Sequence, residues 1–91
     1  MFDLISTINV GDVDAFVTGV KSAPQEHLEG LGVVEQTIYR GVGENVVIIA
    51  GTYKTLEDAQ NHKAILGSSE SAAQLKQMGV KSFDIWLAEK A

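Results

Sequence analysis

Residues 33–53 read VVEQTIYRGVGENVVIIAGTY, and this stretch decides the fold of the 91-residue chain. The run Val46–Ala50 is continuously apolar, which is typical of a strand that is buried on both faces. Val33–Arg40 mixes polar and apolar side chains and predicts a strand nearer the edge of a sheet. The segment Gly41–Asn45 between them supplies glycines and an asparagine, which adopt the positive φ of hairpin loops. The stretch therefore predicts a β-hairpin.

The register of this hairpin determines which side chains share a face. We expect Arg40 to pair with Val46, because this register leaves the glycine-rich segment as the loop. One face then carries Glu35, Thr37, Tyr39, Val47, Ile49, Gly51 and Tyr53. The other face carries Val34, Gln36, Ile38, Arg40, Val46, Ile48, Ala50 and Thr52. Both faces include apolar side chains, so each of them needs a cover.

One strand–helix pair precedes the hairpin and one helix–strand pair follows it. Apolar residues alternate in the strands and recur at helical spacing in the helices, and glycine, proline or a capping side chain marks the ends. The predicted elements are strand Phe2–Val10, a helix capped by Asp12 that runs to Val20, a short helix Pro24–Glu29, helix Leu56–Leu66 after Thr55, helix Glu70–Met78 capped by Ser69, and strand 82–88.

The order β-α-β-β-α-β predicts a single α+β domain, residues 1–91, with the ferredoxin-like arrangement. Right-handed crossovers place the helices on one face of a four-stranded antiparallel sheet. We expect Phe2, Leu4, Phe83 and Ile85 under the helices, and Ile5, Tyr39, Val47, Ile49 and Trp86 on the bare face. A bare apolar face of this size favours pairing with a second copy, so the sequence predicts a homodimer.

The composition limits the classes of partner and of chemistry. A net charge of −5 argues against nucleic acid and anionic membranes as partners, because both select basic surfaces. The absence of cysteine excludes disulfides, thiolate catalysis and cysteine-ligated metal. No apolar run approaches the roughly 18 residues of a membrane span, and the first ten residues lack the basic start of a signal peptide. We therefore expect a cytoplasmic protein.

The chain resembles the dimeric α+β barrel superfamily, and within it the small proteins grouped with antibiotic-biosynthesis monooxygenases. The resemblance covers nearly the whole chain. It rests on the element order, on LEDA at Leu56–Ala59, on Ser69–Glu70 at the next helix start, and on Gly79–Val80 before the last strand. It implies a dimeric barrel whose members include cofactor-free oxygenases of polyketide quinones, haem-degrading monooxygenases, isomerases and proteins without known activity.

Five polar or aromatic residues are the candidate ligand-binding set: Asn9, Tyr39, Tyr53, His62 and Trp86. Cofactor-free oxygenation requires a pocket that binds an electron-rich phenol or enol, helps to deprotonate it and excludes water. The haem-degrading relatives use an asparagine, a tryptophan and a histidine. Here Asn9 lies near the first position, Tyr53 replaces the tryptophan, and Gln74 replaces the histidine, so the axial ligand is missing. We expect no haem, flavin or metal.

Each candidate also has a structural interpretation. His62 follows Asp58 by four residues on one helix, so the two side chains form either a carboxylate-oriented imidazole or an exposed helix pair. His27 lies in a polar stretch and is expected at the solvated surface. Trp86 and Tyr39 either line the cleft, which we favour for Trp86, or belong to the dimer interface.

Two functions remain open. The first is a cofactor-independent monooxygenase or a related tailoring enzyme acting on an aromatic or enolic metabolite. The second is a non-catalytic ligand-binding or dimer-scaffold protein. An open cleft favours the first function, whereas a cleft filled by Phe16, Leu75 and Met78 favours the second. The sequence identifies no catalytic residue and no substrate.

Overall fold

The computed structural model describes residues 2–91, which form one antiparallel sheet with helices packed on one side. The four strands lie in the order β2-β3-β1-β4, and this order and the chain direction confirm the ferredoxin-like fold. In chain order the elements are β1 (Phe2–Val10), α1 (Val13–Lys21), α2 (Gln25–Gly30), β2 (Val33–Arg40), β3 (Val46–Tyr53), α3 (Leu56–Leu66), α4 (Ser69–Gln77) and β4 (Val80–Glu89). None of the helices within residues 2–91 is long and apolar enough to span a bilayer.

Three helices begin at side chains that accept a hydrogen bond from the first turn. Asp12 accepts from the Ala15 N–H, and Thr55 accepts from the Asp58 N–H, as the sequence predicts. The cap of α4 is Ser68 and not Ser69, because the Ser68 hydroxyl accepts from the Ser71 N–H. Each such cap stabilises its helix by about 1 kcal/mol.

The hairpin register differs by one residue from the prediction. Arg40 pairs with Val47, and the Gly41 N–H donates to the Val46 carbonyl at 2.8 Å. The loop thus contracts to Val42–Asn45, with Gly43 at a φ of 74°. Both registers place glycine in the loop, so the turn alone did not distinguish them.

This shift exchanges the faces of β2 relative to β3. Ile38 now lies beside Ile49 under the helices, whereas Tyr39 lies beside Ile48 on the other side of the sheet. Arg40 forms an ion pair with Asp14 of α1. The pairing β2–β3 is irregular between Val33 and Glu35, which keeps Val33 buried and leaves the intervening valine exposed.

The side without helices, here called the open side, keeps Ile5 and Trp86 as predicted, since the two are direct cross-strand partners. The prediction was wrong for Val47 and Ile49, which face the helices. Their places on the open side of β3 are taken by Val46, Ile48, Ala50 and Thr52. The expectation of a bare apolar face therefore holds with different members.

Two clusters of buried residues form the core between the sheet and the helices. The first contains Ile8, Val10, Phe16, Val17 and Val47, and the second contains Leu4, Val33, Tyr53 and Ala59. Ser6 lies between the two clusters on β1, because it separates Leu4 from Ile8 along the helix-facing side. A small polar side chain at this central position separates the two apolar clusters, whereas a large apolar side chain would connect them.

Candidate functional site

A pocket of about 200 Å³ opens between the helix-facing side of the sheet and the helices. Its floor has two small residues, Ser6 on β1 and Gly51 on β3, in neighbouring rows of the sheet. The helices do not fill this space, because the buried residue that α3 contributes is the small Ala59 and α2 contributes none. Phe16, Leu75 and Met78 line the pocket but leave it open.

Tyr53 and His62 form a hydrogen-bonded pair within this pocket. The position that a Cβ would occupy at Gly51 lies 3.4 Å from Tyr53 Cε1 and 3.6 Å from the Tyr53 hydroxyl oxygen. The Tyr53 ring therefore leans back along its own strand over the glycine. Its hydroxyl is hydrogen bonded to His62 Nδ1, and the two rings meet edge to face at 5.6 Å between centroids.

Both members of the pair are uncharged at neutral pH. Burial raises the pKa of the Tyr53 hydroxyl from 10.0 to about 12, because the phenolate would lose its hydration. Burial also lowers the pKa of His62, and the nearby His27 lowers it further by disfavouring a second positive charge. A neutral imidazole is a competent proton acceptor in a water-poor pocket.

The partner of His62 was not predicted. The sequence suggested Asp58, four residues earlier on the same helix. The Asp58 carboxylate instead packs against Gly32, where its Oδ2 lies 2.5 Å from the position of a Cβ, so only glycine fits there. His27 is exposed as expected, yet it also lines the pocket.

The five candidate residues do not form one site. Tyr53 and His62 line the pocket, whereas Asn9, Tyr39 and Trp86 lie on the open side. Asn9 donates to the Ser82 hydroxyl at 2.9 Å, and Tyr39 and Trp86 are 54% and 51% exposed. The placement of Trp86 in the cleft was therefore wrong, although it does share its side with Asn9.

The sequence analysis did not identify two of the residues that line the pocket. Ser6 is buried, with 9% of its surface exposed, and Gln36 extends from β2 beside Gly51. The signal for Ser6 was present, since it is the one polar residue in the alternating series Phe2, Leu4, Ser6, Ile8, Val10. Gln36 was hidden by the register error, which placed it on the opposite face from Gly51.

The described residues, 2–91, contain no group of three or more histidine, cysteine or acidic side chains suitable for a metal ion. Gln74, at the position where haem-degrading relatives have histidine, is exposed on α4 and has no imidazole to offer. The position that carries the histidine in haem-degrading proteins therefore offers no axial ligand in this chain. The chemical groups available to a bound molecule are hydroxyl, amide and imidazole.

Comparison with known proteins supports the fold. No protein-family model matches the chain, and no curated protein matches it. Solved structures do match over nearly the whole length. A putative antibiotic biosynthesis monooxygenase from Nitrosomonas europaea has 14% identity and a TM-score of 0.69, covering 99% of this chain and 98% of its own.

Two further structures share this architecture. SnoaB, a cofactor-independent oxygenase from Streptomyces nogalater, has 14% identity and a TM-score of 0.67, over 98% of this chain and 91% of its own. A dimeric ferredoxin-like protein from an uncultured marine organism has 13% identity and a TM-score of 0.66, over 99% of this chain and 90% of its own. At these identities the likeness establishes a shared fold.

Proposed function

We propose that this chain, which shares its fold with a cofactor-independent oxygenase, binds a small aromatic or apolar molecule in the pocket and removes a proton from it with the Tyr53–His62 pair. The observation that carries the proposal is this hydrogen-bonded pair in an otherwise largely apolar pocket. An apolar cavity of about 150 Å³ accepts benzene. The larger pocket here suits a molecule of one or two rings.

The proposed chemistry begins with a proton transfer. In the tautomer in which His62 Nδ1–H donates to the Tyr53 hydroxyl oxygen, Nε2 is free to accept the proton of a phenol or an enol. Exclusion of water keeps the resulting anion reactive. Dioxygen then oxidises the anion by four electrons: one ring C–H becomes a carbonyl, and the second oxygen atom leaves as water.

A two-ring phenol tests this proposal. 1-Naphthol would consume one dioxygen and give one 1,4-naphthoquinone and one water, so oxygen uptake and quinone absorbance can be compared in the same sample. We expect His62→Gln to lower the turnover about 100-fold or more, in line with the loss of a general base. Tyr53→Phe should lower it less, because the imidazole stays while its hydrogen bond is lost.

Asn61→Ala is the matched control, since Asn61 is the exposed neighbour of His62 on α3. It should leave both oxygen uptake and 1-naphthol affinity unchanged. Equal turnover in wild type and His62→Gln would exclude the pair as the base. Calorimetric binding without oxygen uptake would support the alternative of a non-catalytic ligand-binding protein.

A dimer-scaffold role is favoured by a different observation, the apolar open side of the sheet. Ile5, Ile48 and Ala50 are half-buried there, and no helix within residues 2–91 covers them. We infer that a second copy of the chain covers this side. One structural neighbour is described as a dimeric ferredoxin-like protein, which supports this inference. Light scattering at micromolar concentration should give about twice 9.7 kDa, and a folded monomer would exclude the homodimer.

A further inference from the structure

Two polar side chains that the Tyr53–His62 pair does not use lie close to Gly51 on the pocket floor. Gln36 on β2 is the direct cross-strand partner of Gly51. Ser6 on β1 lies one row further along, opposite Ile49. Both side chains line the pocket, and neither takes part in a side-chain hydrogen bond within the described part of the chain.

These side chains and the pair lie on the same part of the pocket floor. Direct cross-strand partners have Cβ atoms about 4.5–5.5 Å apart, so Gln36 begins one strand spacing from the position that a Cβ would take at Gly51. The Tyr53 hydroxyl oxygen is 3.6 Å from that position. The Tyr53 ring itself covers Gly51, so a molecule in the pocket that contacts the Tyr53 hydroxyl has the Gln36 amide within reach.

No buried side-chain nitrogen or oxygen within residues 2–91 lacks a hydrogen-bond partner, so the free polar groups of Gln36 and Ser6 still reach solvent. A ligand that fills the pocket excludes that solvent, and a donor that then finds no acceptor is costly. A ligand that supplies an acceptor would remove this cost. The Gln36 amide donates through its NH₂ and Ser6 through its hydroxyl, so a carbonyl oxygen satisfies either of them. A purely hydrocarbon ligand would leave both donors unsatisfied.

We propose that Gln36, assisted by Ser6, is a second polar anchor that selects ligands carrying a carbonyl in addition to the acidic hydroxyl. The substrate class is a small phenolic or enolic ketone. This inference rests on the proposed function, since it uses the same pocket. When the hydroxyl is conjugated to the carbonyl, its deprotonation moves negative charge onto the carbonyl oxygen. Donors at that oxygen therefore stabilise the anion more than the neutral ligand.

Three two-ring probes separate the two anchors. 6-Hydroxy-1-tetralone has a hydroxyl and a conjugated carbonyl, 5,6,7,8-tetrahydro-2-naphthol has the hydroxyl alone, and 1-tetralone has the carbonyl alone. Wild type should bind the first about tenfold more tightly than the second, which corresponds to one good hydrogen bond. Binding should also lower the pKa of the hydroxyl of the first probe, which its phenolate absorbance reports.

Gln36→Leu should abolish the preference for the ketone, and affinity for tetrahydronaphthol should stay within about threefold. Gln36→Met, which keeps the length of the side chain, should do the same and guards against a folding defect. Ser6→Ala should reduce the preference by a smaller factor. The control Gln60→Leu alters an exposed glutamine on α3 and should leave all affinities unchanged.

The possible outcomes distinguish this inference from the proposed function. His62→Gln should weaken both hydroxyl probes and leave 1-tetralone unaffected, which tests the pair alone. An unchanged ketone preference in folded Gln36→Leu and Gln36→Met would overturn the second anchor and leave the pair standing. Failure of wild type to bind any of the three probes would overturn both proposals.

Discussion

Both sides of the sheet carry apolar side chains, but the two sides differ in how they are covered. On the helix-facing side, Leu4, Ile8 and Val47 are at most 5% exposed. On the open side, Ile5 is only half-buried, and Trp86 remains 51% exposed. The cover of the first side is contained in the chain, whereas the cover of the second is not. The helix-facing side encloses the pocket, and the open side is the surface on which we propose that a second copy packs.

The polar residues of the two sides differ in the same way. Two pairs on the open side are hydrogen bonded: Asn9 donates to the Ser82 hydroxyl, and the Thr52 hydroxyl donates to the Asp3 carboxylate at 2.8 Å. On the helix-facing side, Ser6 and Gln36 face the pocket without such partners. Paired groups keep a surface compatible with contact between proteins, whereas unpaired groups around a cavity select a small molecule.

The largest expected effect comes from placing a charge on the open side. Ile48→Asp should release monomer at micromolar concentration, because a carboxylate in an apolar interface loses its hydration without gaining a partner. Light scattering measures the mass. Val42→Asp is the control, since Val42 is 99% exposed in the hairpin loop, and this variant should remain dimeric. A dimeric Ile48→Asp would show that the open side is not the interface.

A pair of isoleucines on the same strand sharpens the comparison. Ile8→Ala should lower the free energy of unfolding by about 2–5 kcal/mol, as for other fully buried residues, and the loss should not depend on protein concentration. Ile5→Ala should cost less in the monomer, and the loss should grow at concentrations where wild type is dimeric. Urea unfolding at two concentrations measures both variants. Equal, concentration-independent losses would contradict the assignment of the two sides.

The smallest expected effect concerns pH. The pKa of His62 is lowered in the folded chain, so below pH 6.5 the unfolded chain takes up a proton that the folded chain does not. The free energy of unfolding should therefore fall as the pH drops from 6.5 towards the folded pKa. His62→Gln should make this dependence shallower, while His27→Gln should move the His62 pKa upward by removing a neighbouring charge, as NMR titration would show. An unshifted His62 in the folded wild type would contradict the enclosed pocket.

The order of the elements and the starts of α1 and α3 were readable from the sequence because they depend on local chemistry. Capping by Asp12 and Thr55, for example, requires residues only three positions apart. The hairpin register was missed because Val46 to Ile49 are apolar on both faces, so neither alignment exposes a costly side chain.

The candidate site was predicted in part for a similar reason. Tyr53 and His62 were each selected as individual residues, but their contact crosses the turn between β3 and α3. A helix-spacing rule considers only neighbours three or four positions away, and it therefore pointed to Asp58. The placement of Gln36 depends on the strand register and on its pairing with Gly51. Neither can be recognised before the strands are paired.

The contact between Tyr53 and His62 spans only nine positions of the chain. One strand, one capped turn and one helix carry both groups, so the pair lies within one short continuous segment of the chain. Contacts this local close quickly during folding and require little loop entropy. Ser6 and Gln36, which also line the pocket, belong to distant parts of the chain. Substitutions on β1 and β2 can therefore change which ligands the pocket binds, while the segment that carries the Tyr53–His62 pair stays the same.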